Sequence, residues 1–164
     1  MLMTNIIKVG MADLNIAKPP NTIRTAGLGS CVGVIIYDEY TNVSGMAHIM
    51  LPDSTQGKAG TVNIAKYADT AIIELVSRLE REGVNKRLLK SKIAGGAQMF
   101  QFSSTSDLMR IGPRNVEAVK KQLQQLSITI LAEDVGGNSG RTIEFNPITK
   151  KLMVRTVNLG VKEI

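Results

Sequence analysis

From residue 64 to residue 82 the apolar positions Ile64, Ala68, Ala71, Ile72, Leu75, Val76 and Leu79 recur at three- and four-residue spacing, with polar residues between them. That period lines one face of a helix, so the stretch predicts an amphipathic helix. Asn63 stands where an N-cap belongs, and Gly83 supplies the residue type that commonly follows a last turn. A second helix is predicted over 115–126, with Val116, Val119, Leu123 and Leu126 inward and Pro113 just ahead of it. Val- and Ile-rich runs predict strands at 32–37, 45–50, 88–94, 128–135, 141–145 and 151–157. The polar stretch from Tyr40 to Ser44 reads as a turn folding the second run back beside the first. The last three runs are broken by Gly136-Gly137-Asn138 and Asn146-Pro147, which suits antiparallel pairing better than βαβ crossovers. The expected class is α+β, with helices covering a largely antiparallel β layer.

No repeat, low-complexity block or long polar linker divides the chain, and Pro19-Pro20 and the stretch 53–60 read as loops. Residues 1–164 are therefore expected to form one domain, long enough to bury about two thirds of its unfolded surface without a disulfide or a structural metal. One Cys and one His exclude an intramolecular disulfide and the usual four-ligand Cys and Cys/His zinc sites, and they suit a reducing compartment. No apolar run reaches the roughly eighteen residues of a membrane span. In the first ten residues the one basic side chain, Lys8, follows the apolar ones, the reverse of a secretory signal. A cytoplasmic location is expected. Lys and Arg number 20 against 14 Asp and Glu, and the net charge of +6 suits either an acidic partner or plain solubility. Nucleic acid is not expected as that partner, because no basic helix or aromatic stacking pattern accompanies the charge.

Candidate chemistry lies in Thr25-Ala-Gly-Leu-Gly-Ser-Cys31, where the only thiol follows a glycine-rich turn and precedes a buried-looking strand. Glycine lets the backbone bend sharply, so amides around Gly29, Ser30 and Cys31 could face a developing oxyanion. A dinucleotide fingerprint fails, since Val32 occupies the third glycine position. Taken alone, a free Cys packs like a small hydrophobe. The only imidazole, His48, lies on the next predicted strand, and a hairpin would bring it near Cys31. A Cys beside a His can give up its proton and attack an acyl carbon, while a core histidine is the other reading. Asp38, Asp53, Ser30 and Thr25 are the nearby polar groups able to orient the ring, and spacing does not choose among them.

Further motifs follow in order: Gly45-Met-Ala-His48-Ile-Met-Leu-Pro-Asp-Ser54, Lys66-Tyr-Ala-Asp69, Lys92-Ile-Ala-Gly-Gly-Ala-Gln-Met-Phe100, Ile111-Gly-Pro-Arg-Asn115 and Gly136-Gly-Asn-Ser-Gly-Arg141. Together with the Cys31 segment they resemble the CheD chemoreceptor glutamine deamidases over almost the whole chain. The resemblance implies a layered α/β/β fold related to bacterial toxin deamidases. It also implies a Cys-His-Thr triad, with Cys31 as nucleophile, His48 as general base and Thr25 as the orienting hydroxyl. The implied activity converts glutamines of methyl-accepting chemotaxis receptors to glutamates through a thioester, a reaction that requires no metal or organic cofactor. The implied partners are the receptors, to whose arrays the protein would be recruited, and the CheC phosphatase. Phe100 and Phe102 are candidate anchors for such a partner, with closure of the core as the other reading. Arg110, Arg114 and Arg141 could hold acidic receptor side chains or simply face solvent. Two other readings use the same residues: a binding module for the phosphatase with vestigial hydrolysis, and a thiol esterase acting on receptor methyl esters.

Overall fold

The computed structural model describes residues 4–56, 62–99 and 110–164. In chain order the strands are β1 (Ile6–Lys8), β2 (Leu14–Ala17), β3 (Thr22–Leu28), β4 (Val32–Tyr37), β5 (Ser44–Ile49), β6 (Lys90–Gly95), β7 (Thr129–Val135), β8 (Arg141–Phe145), β9 (Leu152–Thr156) and β10 (Gly160–Glu163). The helices are α1 (Ala68–Arg81) and α2 (Ile111–Gln125). The strands form two five-stranded sheets, one in the order β2-β5-β4-β6-β7 and the other in the order β1-β3-β8-β9-β10. Apart from the parallel pairs β1–β3 and β6–β7, the described pairs are antiparallel.

The burial of β4 explains the layering. All six of its residues are buried, which a strand achieves only when both faces are covered. Because side chains alternate, Val32, Val34 and Ile36 join Ile72, Leu75 and Leu79 of α1 and Val119 and Leu123 of α2 in one core. Ile35 and Tyr37 point the other way and meet Ile23, Ile143, Phe145, Leu152 and Val154 of the second sheet. The result is a helix layer, a central sheet and an outer sheet, with one apolar core on each side of the central sheet. Gly33 belongs to this packing through its missing side chain, since a Cβ there would lie 2.5 Å from Ile143 Cδ1. No described helix is long and apolar enough to cross a membrane.

The expected hairpin forms, with β4 paired to β5 from Val32↔Ile49 to Tyr37↔Ser44. The first helix is shorter than its apolar period predicts. Ile64–Lys66 is a separate 3₁₀ turn, whose N-cap Asn63 accepts from the Ala65 amide, and Tyr67 is extended. Closure on the end of β5 competes with the helix here: the Lys66 carbonyl accepts from Met50 N and Leu51 N, and Leu51 bridges Tyr67. Ile64 is consequently 51% exposed and outside the core.

Helix α2 begins four residues earlier than predicted and contains Pro113 in its first turn, where an amide has no intrahelical partner to lose. The antiparallel reading of the last three runs holds for β8 and β9 and fails for β7. Strand β7 returns through α2 to lie parallel to β6, a βαβ crossover, and the chain leaves for the other sheet through Gly136 and Gly137, both with positive φ. Strands β1, β2, β3 and β10 were not predicted. Three of them are only three or four residues long, and β3 carries a register shift between Thr25 and Leu28 that breaks its alternation.

Candidate active site

Thr25 and His48 come from different sheets and meet between them. Thr25 sits on β3, paired with Ile143 of β8, and His48 sits on β5, paired with Gly33 of β4. Their side chains are buried, and Thr25 Oγ1 stands 2.7 Å from His48 Nδ1. The same hydroxyl donates to the Val9 carbonyl at 2.7 Å. A threonine hydroxyl has one proton, so with that proton on Val9 the oxygen accepts from Nδ1–H. This assigns the Nδ1–H tautomer and leaves the lone pair on Nε2. His48 Nε2 is buried and has no hydrogen-bond partner among the described residues. Burial also holds the imidazole below its ordinary pKa of 6.5, so it is a neutral base at neutral pH.

Cys31 lies one residue before β4 and packs in the core between the sheets with Ile35 and Tyr37. Alternation puts it on the face that carries Gly33, whose partner across the hairpin is His48. The hairpin register thus puts thiol and imidazole on one face, with Cys31 one position past the last pair, Val32↔Ile49. Gly33, with Ile143 Cδ1 and Leu28 Cδ1 packed over it, lies on that face between thiol and imidazole. No hydrogen bond joins them among the described residues, as the unpartnered Nε2 shows. Cys31 is 6% exposed, and burial pushes its thiol above the ordinary value of 9.0. Both shifts favour a neutral thiol beside a neutral imidazole over a preformed ion pair.

The turn before the thiol is tied through its carbonyls. Ala97 N donates to Gly29 O at 2.8 Å, Asn115 Nδ2 to Ser30 O at 2.9 Å, and Gly96 N to Cys31 O at 2.8 Å. Close approach by the end of β6 depends on Gly95, where φ is +111° and a Cβ would lie 2.3 Å from the Cys31 carbonyl oxygen. In a trans peptide the C=O of one residue and the N–H of the next point in opposite directions. The Ser30 and Cys31 amides therefore point away from the partners that hold the Gly29 and Ser30 carbonyls, and neither amide has an acceptor among the described residues. Gly29 N is already bonded to Gly27 O at 3.1 Å, so of the expected oxyanion amides those of Ser30 and Cys31 remain available.

Asp38 and Asp53 are not at the ring. Asp38 caps the β4–β5 turn by accepting from Thr41 N and Oγ1, and Asp53 is exposed and accepts from Thr55 N. Arg141 is not a solvated side chain: it is 7% exposed, donates to Gly95 O and pairs with Asp134, joining the two sheets beside the turn. Arg110 is exposed at the N-cap of α2, and Arg114 is half-buried in its first turn. Phe100 and Phe102 lie outside the described residues. The contacts of Asn115 were missed. Its signal was a polar residue on the buried stripe of α2, in step with Gly112, Val119 and Leu123.

The family described as CheD chemotactic sensory transduction matches residues 50–156. A protein of Halalkalibacterium halodurans named chemoreceptor glutamine deamidase CheD is 66% identical over 162 residues, covering 99% of this chain and all of its own. The protein of that name from Bacillus subtilis is 55% identical over 159 residues, 97% of this chain and 96% of its own. The chain belongs to the CheD family. In this CheD chain the family match begins two positions beyond His48, while the alignment to the Halalkalibacterium protein, covering 99% of the chain, spans the Thr25, Cys31 and His48 segments as well.

Proposed function

We propose that this CheD-family chain hydrolyses glutamine side-chain amides of chemoreceptors to glutamates, with Cys31 as nucleophile, His48 as proton carrier and Thr25 as the group that holds the ring. The observation that carries the reading is the buried Thr25–His48 bond, which fixes the tautomer and leaves an unpartnered Nε2 on the face shared with the only thiol. The names of the Halalkalibacterium and Bacillus relatives support the substrate class.

His48 Nε2 takes the Cys31 proton as Sγ attacks the amide carbon, and the Ser30 and Cys31 amides stabilise the oxyanion. The imidazolium returns its proton to the nitrogen, the C–N bond breaks, and ammonia leaves a thioester on Cys31. Water, deprotonated by His48, attacks the thioester; the C–S bond breaks, releasing glutamate and the free thiol. Thr25 is a neutral orienter and stabilises the imidazolium less than a carboxylate would, which suits a site whose resting ring is uncharged. The net charge of +6 favours approach to an acidic receptor surface in the cytoplasm. A CheC-type phosphatase is proposed as a second partner on the motif resemblance, with co-purification as its check.

Incubation with a receptor cytoplasmic fragment, followed by peptide mass spectrometry, tests the activity. Gln-to-Glu conversion is expected with the wild type and not with Cys31→Ala. Conversion that survives loss of the thiol removes Cys31 from the reaction.

A further inference from the structure

We infer that Asn115 is a positioning residue of the hydrolytic site, clasping the nucleophile turn to the strand that carries the base. The inference rests on the Cys31–His48 reading above. Asn115 is fully buried on α2, and its Nδ2 donates at 2.9 Å to both Ser30 O and Met50 O. Both partners are carbonyl acceptors, so they settle which end of the amide is the nitrogen. Ser30 precedes the nucleophile, and Met50 lies two residues beyond His48. The backbone ladder between β4 and β5 ends at Val32↔Ile49. Just past that end, where the strands separate, one side chain bonds both.

Two consequences follow for the chemistry. Holding the Ser30 carbonyl fixes the plane of the Ser30–Cys31 peptide, and with it the direction of the Cys31 amide. Holding Met50 in the same grip keeps the end of β5, and so the His48 ring, in register with the thiol. The residue does this at a cost to itself: Asn115 Oδ1 is buried without a partner among the described residues. An apolar side chain would suit this position on the helix stripe better if packing were its only task, since Val119 and Leu123 continue the stripe into the core. Gly112 lets the helix start come close, because a Cβ there would lie 2.2 Å from the Ala97 carbonyl oxygen.

The test compares Asn115→Ala and the isosteric Asn115→Asp, whose carboxylate cannot donate to two carbonyls, with Leu123→Ala on the same buried stripe. Thermal unfolding of all three reports stability. Two functional readouts follow: kcat and KM for deamidation of a receptor fragment, and the pH dependence of Cys31 alkylation by iodoacetamide, which needs no receptor. The wild type is expected to show an alkylation limb below pH 6.5 that His48→Gln removes. Both Asn115 variants are expected to lose that limb and about 10²-fold in kcat, a loss typical of misplaced reacting groups, with KM little changed. Leu123→Ala is expected to lose stability and keep both. Asn115 variants with wild-type kcat and an intact limb overturn the inference while the Cys31–His48 reading stands. Equal kcat losses in Leu123→Ala and Asn115→Ala overturn it too, by tracing the effect to stability. A wild type without the limb counts against the Cys31–His48 pairing itself, and the clasp falls with it.

Discussion

At the scale of single residues the proposed site is two neutral groups, the Cys31 thiol and the His48 imidazole. Burial lowers the His48 pKa and raises that of Cys31, so the reactive protonation state extends from below pH 6.5 to above pH 9.0. The expected kcat/KM profile is flat between those limits, falling on the acid side as Nε2 is protonated and on the alkaline side as the thiol ionises. A profile peaking sharply near neutrality would contradict it. The same shift acts on stability. The unfolded chain protonates His48 first, so its contribution is complete above about pH 6.5 and is lost as the pH falls through the lower folded value. His48→Gln should therefore flatten the fall of Tm with acid relative to wild type. Thr25→Val removes the only acceptor of Nδ1 among the described residues, and kcat should drop by about 10²-fold, whereas Thr25→Ser keeps the hydroxyl and most of the rate. Residue spacing offered four orienters for the ring and only the motif resemblance singled out Thr25, because the choice is made across two sheets, on a strand the apolar pattern did not reveal.

Secondary-structure elements were legible where one physical signal acted alone. Helix α1 was found from its apolar period because its face against the central sheet is continuous from Ala68 to Leu79. Its first predicted turn was lost to a competing demand, the backbone bonds from Met50 and Leu51 to Lys66. Ile72 and Ile73 are neighbours on opposite faces, 0% and 53% exposed. Ile72→Ala should cost about 2–5 kcal/mol in urea unfolding, and Ile73→Ala less than about 0.5 kcal/mol. At the end of β6, Gly95→Ala meets both a left-handed backbone and the Cys31 carbonyl. It should destabilise by about 1–3 kcal/mol and depress activity beyond what the lost stability explains, since any relief moves the proposed nucleophile.

Across the whole molecule, local pattern reported the class but not the partition into two sheets. Strand β4 was legible as a buried run, yet nothing local to Thr129–Val135 says that it pairs parallel with β6 and not with its chain neighbour β8. That partition matters for the proposed function, because the proposed site lies between the sheets: the central sheet brings Cys31 and His48 on one hairpin, and the outer sheet brings Thr25. The central claim is that a receptor glutamine becomes a thioester on Cys31. Acid-quenching the enzyme during turnover of a receptor peptide, then mapping the adduct by mass spectrometry, tests it most directly. Peptide bound through its glutamine carbonyl to Cys31 is expected, absent in Cys31→Ala and strongly diminished in His48→Gln. Ammonia release that continues in Cys31→Ala, with no adduct at any time in the wild type, would contradict it.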